Sequence, residues 1–479
     1  MPGLRTPTPG LSTAKRSTLG FAAICFGYFM IILDTNILNV ALPDLRSSLH
    51  TSMAGVQWTV NGYTLVLAAL LLTAGALGDR IGLKRLLLCG LTVFTAASAL
   101  CAAAPATGVL IAGRVLQGLG AAALLPSTLA LIPHLFPDAE RRQRAAVAWV
   151  ATSTLAIAAG PLVGGVLVDW FGWRSVFLVN VPIGVVTLLL ISASIAETPR
   201  QLGTRADRAG QVLAILALGL VTAAIITAGS AGWGSLSTLL PGALGILAAV
   251  AFVVSQRRVA QPLLPPSFFA HRQRTTAVVS AALMGFAFYS SLFTLSLYFQ
   301  QSRGWSPAAT GVALLPATLG TVSATFLFYK RLARRLGHMG MLIIGFVGTA
   351  AGCALFVVTD HGSGYVLPAV GMLLLGVFST FVLSALTSIV ISTVPAHQSG
   401  LASGVQNTAR QAGALFGIAV IGTVLNGAGF TGRMHIAAWL TVADTLLGFA
   451  LGCLALRSRP APEPEAAVQS TPGNVSARR

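Results

Sequence analysis

Two carboxylates, Asp34 and Asp444, lie within long apolar stretches of the chain, whereas the other acids lie in loops, tails or helix ends. In the segment LDTNILNVALP, Asp34 is followed by Thr35, Asn36 and Asn39, which a lipid-facing helix would not carry. A carboxylate in hydrocarbon costs roughly 2.5–3.5 kcal/mol on insertion scales, so it normally faces a cavity or a partner. We therefore predict that Asp34 faces a cavity and gains and loses a proton there. A purely structural role is the alternative, and it is the simpler interpretation for Asp444.

Two arginines also fall well within apolar stretches. Arg114, in LIAGRVLQGLGAA, stands one helical turn from Gln117. A buried guanidinium needs an acceptor, which could be a carboxylate, backbone carbonyls, water or an anionic substrate. Arg410, in GVQNTARQAGALFG, has Asn407 one turn before it. A side chain that reaches the membrane interface is the alternative for Arg410.

Aromatic and amide side chains near these charges could line a pocket. Such a lining suits amphipathic compounds, including cationic or aromatic ones. Each of these side chains could instead serve packing. The candidate substrate-binding residues are Trp58, Asn61, Tyr63, Gln117, Tyr298, Gln300, Asn407, Arg410 and Asp444.

The composition indicates the elements that position these residues. Of 479 residues, 55% are hydrophobic and 9% are charged, whereas soluble proteins carry about 25% charged residues. Apolar runs of about twenty residues recur, the length that a helix needs to cross a hydrocarbon core of ~30 Å. We predict an all-α integral membrane protein with about fourteen transmembrane helices. The predicted spans are 19–41, 55–76, 86–104, 107–132, 145–168, 174–195, 210–229, 237–256, 275–300, 308–328, 339–359, 364–392, 401–427 and 436–456.

The net charge of +18 is distributed unevenly around these spans. Of the 30 Lys and Arg residues, 24 fall in the two tails and the even-numbered loops, and four fall in or beside odd-numbered loops. Cytoplasmic loops are enriched in such cations, so both termini are predicted to be cytoplasmic and the number of spans to be even. The basic character is thus an orientation signal, and it does not indicate nucleic-acid binding.

The spans divide into six, two and six. A short internal repeat supports two related halves, because DRIG at 79–82 follows the second span and RRLG at 334–337 follows the tenth. Parallel six-helix halves around a central site are a transporter design. The predicted parts are a cytoplasmic amino-terminal tail (1–18), an amino-terminal six-helix bundle (19–195), two extra transmembrane helices with flanking cytoplasmic loops (196–274), a carboxy-terminal six-helix bundle (275–456) and a disordered cytoplasmic tail (457–479).

Two further motifs complete a family pattern. GALGDRIGLKR runs from Gly75 to Arg85, and GPLVGG runs from Gly160 to Gly165. Together with RVLQGLGAA from Arg114, WRSVFLVNVPIG, LYFQQSRGWSP and the segments above, they resemble the major facilitator superfamily, specifically its fourteen-helix drug:proton antiporter branch of multidrug exporters. The motif residues are Gly75, Asp79, Arg80, Gly82 and Arg85 in the first motif and Gly160, Pro161, Gly164 and Gly165 in the second.

The resemblance implies specific roles. Asp34 and Arg114 would take part in proton coupling, Asp79 would help to lock the cytoplasmic gate, and the GPLVGG motif would distinguish exporters from importers. Leu83 departs from the family pattern, which often has a polar or basic residue there.

We therefore expect a proton-coupled antiporter that exports small amphipathic compounds, such as drugs, antibiotics or a secondary metabolite. It would need no cofactor and no metal, would be driven by the proton gradient and would act as a monomer. The abundance of Ala and Arg, with three lysines, indicates a bacterial source and hence the bacterial cell membrane. The rivals are a facilitator or uptake porter for one metabolite and a membrane-embedded enzyme. The enzyme is disfavoured because no His lies in a predicted span.

Overall fold

Helices form every regular element of the structure, a computed structural model that describes residues 13–198, 207–395 and 398–456. The predicted tail 457–479, most of the tail 1–18 and the loop residues 199–206 lie outside these ranges. The helices are α1 (Thr13–Ser48), α2 (Met53–Ile81), α3 (Leu83–Ala102), α4 (Thr107–Ala130), α5 (Ile132–Leu135), α6 (Ala139–Phe171), α7 (Ser175–Leu178), α8 (Asn180–Ser194), α9 (Arg208–Ala231), α10 (Leu236–Arg258), α11 (Pro266–Phe269), α12 (Arg272–Leu297), α13 (Pro307–Ala313), α14 (Leu315–Ser323), α15 (Tyr329–Val357), α16 (Val366–Ser392), α17 (Ser399–Leu425) and α18 (Phe430–Leu456), with π-helical turns at Tyr298–Ser302 and Ala324–Phe328.

Thirteen helical stretches of the described chain are long and apolar enough to cross a bilayer. One of them, Pro307–Val357, has 51 residues, which is more than twice the length that a crossing needs. Gly337 breaks it with a φ of 66° and a ψ of 173°. The stretch therefore holds two crossings, which brings the total to fourteen and confirms the predicted all-α membrane fold.

Several helices run beyond the predicted spans. The first span is predicted at 19–41, but α1 covers Thr13–Ser48, and the fifth is predicted at 145–168, but α6 covers Ala139–Phe171. Hydropathy marks only the segment that suits hydrocarbon, whereas a helix can continue through polar residues until a cap ends it. Asp138 provides such a cap for α6, since its carboxylate accepts a hydrogen bond of 2.9 Å from the backbone N–H of Arg141.

The helices α1–α8 form one half of the molecule and α12–α18 form the other. The ends of the bundle differ in how these halves meet. We call the end with residues 131–138 and 259–271 the terminal end, because it also carries the beginning of α1 and the end of α18; the opposite end, with residues 49–52 and 303–306, is the far end. Each half has its own apolar core towards the terminal end. A third core contains residues of both halves, including Leu38, Phe293 and Leu425, so the halves pack together at the far end.

Of the two extra helices, α9 contacts both halves and α10 packs on α9. Gln211 of α9 donates a hydrogen bond of 2.8 Å to the carbonyl of Ala69 in α2. Nearer the far end, Thr423 of α17 donates one of 2.9 Å to the carbonyl of Ile225 in α9. Asp207 accepts a bond of 2.6 Å from Gln256, which ties α9 to α10. Helix α9 therefore lies along the junction of α2 and α17, and the other helices form the polar interior of the bundle.

Candidate functional site

A buried ion pair lies inside the first half. The guanidinium of Arg114 in α4 stands 2.6 Å from the carboxylate of Asp34 in α1, and each side chain is 1% exposed. Gln117 and Asn180 also donate to this carboxylate, at 3.2 and 2.8 Å. Asp34 thus accepts three hydrogen bonds from two neighbouring helices, which offsets part of the cost of removing its charge from water.

The pair belongs to a larger network. Arg114 donates to the backbone carbonyl of Thr59 at 3.1 Å, and its guanidinium lies 4.5 Å from the ring centre of Tyr63. Gln117 donates to the hydroxyl of Ser98 at 2.7 Å. Five helices, α1, α2, α3, α4 and α8, therefore meet at one charge-compensated site.

Glycines in α4 permit this convergence. A Cβ on Gly118 would lie 2.6 Å from the carbonyl oxygen of Tyr63 in α2, and one on Gly120 would lie 2.6 Å from that of Gly90 in α3. Real side chains do not tolerate such distances to backbone atoms, so α4 can approach both neighbours only with glycine at these positions.

The structure brings some predicted residues into this network and leaves others outside. Tyr63 and Gln117 belong to it. Asn61 is completely buried in α2, and neither of its amide atoms has a hydrogen-bond partner. Trp58 of α2 is half-buried. It lies one turn before Gly62, on the side of α2 that faces Ile111 and Val115 of α4. A binding role for Asn61 and Trp58 stays a prediction.

Sequence reasoning missed Asn180, Ser98 and Thr59. Asn180 carried a readable signal, because an amide stands alone in the apolar segment FLVNVPIG. Thr59 contributes only its backbone carbonyl, which no side-chain pattern reveals.

A second polar cluster lies in the other half. Arg410 of α17 donates to the hydroxyl of Tyr289 in α12 at 2.9 Å, and two of its nitrogens donate to the amide oxygen of Asn407 at 2.8 and 3.3 Å. All three side chains are half-buried. The guanidinium thus reaches α12 through Tyr289 and its own helix, one turn towards the terminal end, through Asn407. Tyr289 is a further residue that sequence reasoning missed.

Three other predicted binding residues lie apart from both clusters. Tyr298 donates to the carbonyl of Asp360 at 2.7 Å, close to the far end. Gln300 donates to the carbonyl of Val40 at 3.0 Å and so connects the two halves. Asp444 is half-buried in α18, which packs on α12 and α15, and its Oδ2 has no hydrogen-bond partner. Their roles in binding stay predictions.

The GALGDRIGLKR motif forms the junction of α2 and α3 at the terminal end. Gly82 alone separates the helices, with a φ of 96° that favours glycine. The next residue, Leu83, donates its N–H to the hydroxyl of Thr198 at 2.7 Å, and exposed Arg85 pairs with Glu197 at 3.2 Å. Arg80 is exposed, and an added Cβ on Gly75 would touch nothing within 4 Å. The side chain of Asp79 lies outside the described part of the structure, so its predicted gating role stays a prediction.

The GPLVGG motif lies where the halves meet. An added Cβ on Gly160 would be 2.6 Å from Asn36 in α1, and one on Gly164 would be 2.8 Å from the carbonyl of Ile37. Gly165 faces the other half, where an added Cβ would be 2.5 Å from the carbonyl oxygen of Pro307 in α13. The motif therefore lets α6 contact α1 and α13 at once.

Hydrogen bonds continue this contact across the far end. Ser296 of α12 donates to the carbonyl of Asn39 in α1 at 2.6 Å, beside the bond from Gln300 to Val40. Gln57 of α2 donates to the carbonyl of Ala419 in α17 at 2.7 Å. We call these contacts, together with the packing of Gly165 on α13, the far-end seam. The seam closes the far end. Towards the terminal end the halves have separate apolar cores and still touch, since an added Cβ on Gly404 of α17 would lie 2.9 Å from the side chain of Leu72 in α2.

Two six-helix halves, a buried charge pair and one closed end form an arrangement typical of membrane transporters. The chain belongs to the Major Facilitator Superfamily, which its sequence matches over residues 24–418. It is 36% identical over 443 residues to the methylenomycin A resistance protein of Bacillus subtilis (strain 168), covering 90% of this chain and 94% of that one. It is 35% identical over 476 residues to the cephamycin export protein CmcT of Amycolatopsis lactamdurans, covering 97% and 96%.

A solved structure confirms the fold. The inward-facing, unoccupied structure of a bacterial homologue of the human lysosomal transporter Spinster matches with a TM-score of 0.67 at 15% identity. The match covers 95% of this chain and 100% of that one.

Proposed function

We propose that the protein is a proton-coupled antiporter that exports small amphipathic compounds across the bacterial cell membrane. The resistance and export functions named for its relatives support the direction of transport. The excess of Lys and Arg at the terminal end supports a cytoplasmic position for that end and for both termini. In this orientation the described conformation is closed to the outside. The proton gradient drives transport, no bound cofactor is needed, and the monomer is the working unit.

The observation that carries the proposal is the continuity between Asp34 and the far-end seam. Both belong to α1. Asn36 and Ile37 pack on the GPLVGG motif, and the carbonyl of Asn39 accepts the bond from Ser296 of the other half. Fewer than two helical turns therefore separate the carboxylate from the contacts that close the outside.

Protonation of Asp34 would cancel its charge and leave Arg114 without a counter-ion. Breaking a buried pair by removing one charge costs about 3–5 kcal/mol, so the network must rearrange. A shift of α1 would be transmitted to the seam. In the proposed cycle, the outward-facing protein takes up a proton at Asp34 and turns inward. It releases the proton as substrate binds from the cytoplasm, and it returns with the substrate.

The test is proton flux in liposomes. Wild type, Asp34→Asn and the control Asp360→Asn are reconstituted with an internal pH-sensitive dye under an imposed pH gradient. A panel of lipophilic cations and antibiotics is then added. Asp360 is an exposed far-end acid that lies 3.4 Å from Nε2 of His435, so its replacement controls for the loss of a carboxylate elsewhere.

We expect compound-induced proton movement in wild type and in Asp360→Asn, and at least a ten-fold smaller signal in Asp34→Asn. If transport proceeds without any gradient and Asp34→Asn matches wild type, the coupling mechanism is wrong and the protein is a facilitator.

A further inference from the structure

Arg410 is a charge inside the membrane that has no acidic partner in the described chain. The described ion pairs involve Arg85, Arg114, Arg144 and His435, and none involves Arg410. Its hydrogen-bond partners, Tyr289 and Asn407, are both neutral. A cation inside the membrane that has no acidic partner is costly. Arg410 therefore marks a candidate binding site for an anionic group.

The guanidinium keeps two donors for such a partner. Arginine has five N–H groups, and the described contacts use one on each of its three nitrogens. One N–H therefore remains on each terminal nitrogen. These two donors are available to the oxygens of a carboxylate, and a hydrogen bond between two charged groups is stronger than a neutral one.

The two acids inside the spans do not supply this carboxylate. Asp34 is 1% exposed and is engaged by Arg114, Gln117 and Asn180. Asp444 lies in α18, and none of the described ion pairs includes it. The interior surface of the second half thus carries an uncompensated positive charge.

Aromatic surface adjoins this charge. The guanidinium lies 5.9 Å from the centre of the Tyr289 ring, and the Phe288 ring packs edge-to-face on Tyr289 at a centre distance of 5.5 Å. A cation beside rings suits a compound with an apolar or aromatic body and one anionic group.

We propose that the transported compound is an organic carboxylate, and that its carboxylate binds Arg410 while its body lies against the neighbouring rings. This proposal rests on the proposed export function and specifies its substrate class. It departs from the lipophilic cations that the aromatic residues alone suggest.

The charge of the substrate changes the electrical character of transport. Exchange of one inward proton for one outward monovalent anion moves two positive charges inward per cycle. Exchange for a monovalent cation moves none. An inside-negative potential therefore drives export of an anion, even without a pH difference.

The test is binding of three dansyl probes that differ in charge: dansylglycine, its neutral amide and dansylated ethylenediamine. The full chain is placed in phosphatidylcholine nanodiscs, and probe fluorescence is titrated for wild type, Arg410→Gln, Arg410→Lys and Arg274→Gln. Arg274 is the matched control, because it is a half-buried arginine of the same half with a ring contact, to Phe268, but it lies at the terminal end.

We expect wild type and Arg274→Gln to bind dansylglycine about ten-fold more tightly than the neutral amide. Arg410→Gln should lose this preference while still binding the amide, which shows that it is folded. Arg410→Lys should keep part of the preference, because it keeps the charge but not the paired donors. Equal or tighter binding of the cationic probe by wild type, or an unchanged preference in Arg410→Gln, overturns the proposal.

Anionic lipid is the competing source of the same chemistry. If nanodiscs containing phosphatidylglycerol abolish dansylglycine binding, Arg410 serves a lipid head group and the substrate proposal is wrong; unchanged binding supports it. The titration needs no proton gradient. Loss of coupling in the flux assay and loss of anion preference here are therefore separate results.

Discussion

Replacing Gly165 by alanine should open the far-end seam. The added Cβ would lie 2.5 Å from the carbonyl oxygen of Pro307 and 3.0 Å from the Cα of Ala308. Both are backbone atoms of α13, so neither can turn aside. Ordinary contact begins near 3.4 Å, and α6 and α13 must therefore separate by up to 3.4 − 2.5 = 0.9 Å.

The expected magnitude follows from overpacking. An extra methyl group forced into a packed interface costs about 1–3 kcal/mol. This contact joins the two halves, so the cost falls on the conformation in which the far end is closed. The equilibrium should shift towards the open far end by roughly five-fold to more than a hundred-fold.

Hydrogen–deuterium exchange with mass spectrometry measures this shift without labels. Peptides from α13 and from residues 36–44 should exchange faster in Gly165→Ala than in wild type, and export should slow. Gly108→Ala is the matched control, because its added Cβ would meet nothing within 4 Å and because Gly108 lies near the far end, where α4 begins. Equal exchange rates in the two variants would refute the assignment of Gly165 to the seam.

Two further substitutions test the network and the terminal-end turn. Gln117→Leu removes the bonds from Gln117 to Asp34 and Ser98. Because a hydrogen bond to a charged group contributes about 1.5–3 kcal/mol, compound-induced proton flux should fall about ten-fold or more; an unchanged flux would remove Gln117 from the coupling network. Gly82→Ala forces a Cβ onto a residue with a φ of 96°, at a cost of about 1–3 kcal/mol. The melting temperature of this variant in detergent should therefore be several degrees lower than that of Gly75→Ala, whose added Cβ touches nothing. Equal melting temperatures of the two variants would contradict this expectation.

Hydropathy predicts the fold of this protein well, because lipid leaves few alternatives to apolar helices. It does not locate the ends of helices that continue into polar surroundings, such as α1 and α6. It does separate the tenth and eleventh spans at 329–338, and Gly337, the residue that breaks Pro307–Val357, lies in that interval.

The site was predictable in its residue types but not in its pairing. The free-energy cost of placing a charge inside the membrane identifies Asp34 and Arg114 as residues that need partners. The same cost does not tell whether the partner of Arg114 is a carboxylate, a carbonyl, water or a substrate. The partners lie 80 positions apart, and only the packing of α1 on α4 joins them. Gln300 shows that the sequence also does not distinguish a structural amide from a ligand-binding one. Its side chain donates to the carbonyl of Val40, and nothing in the sequence pattern separates this role from ligand binding.

The two halves treat their internal arginines differently, and this difference bears on how proton and substrate could compete. In the first half, Asp34 of the leading helix compensates Arg114 and seals it. In the second half, the leading helix α12 offers the neutral hydroxyl of Tyr289, and Arg410 remains uncompensated and half-buried. Under the proposed mechanism, the proton acts at the sealed site and the substrate at the open one. The two ligands then compete without sharing atoms, because each favours a different arrangement of the same seam, and α1 is the element that both arrangements must move.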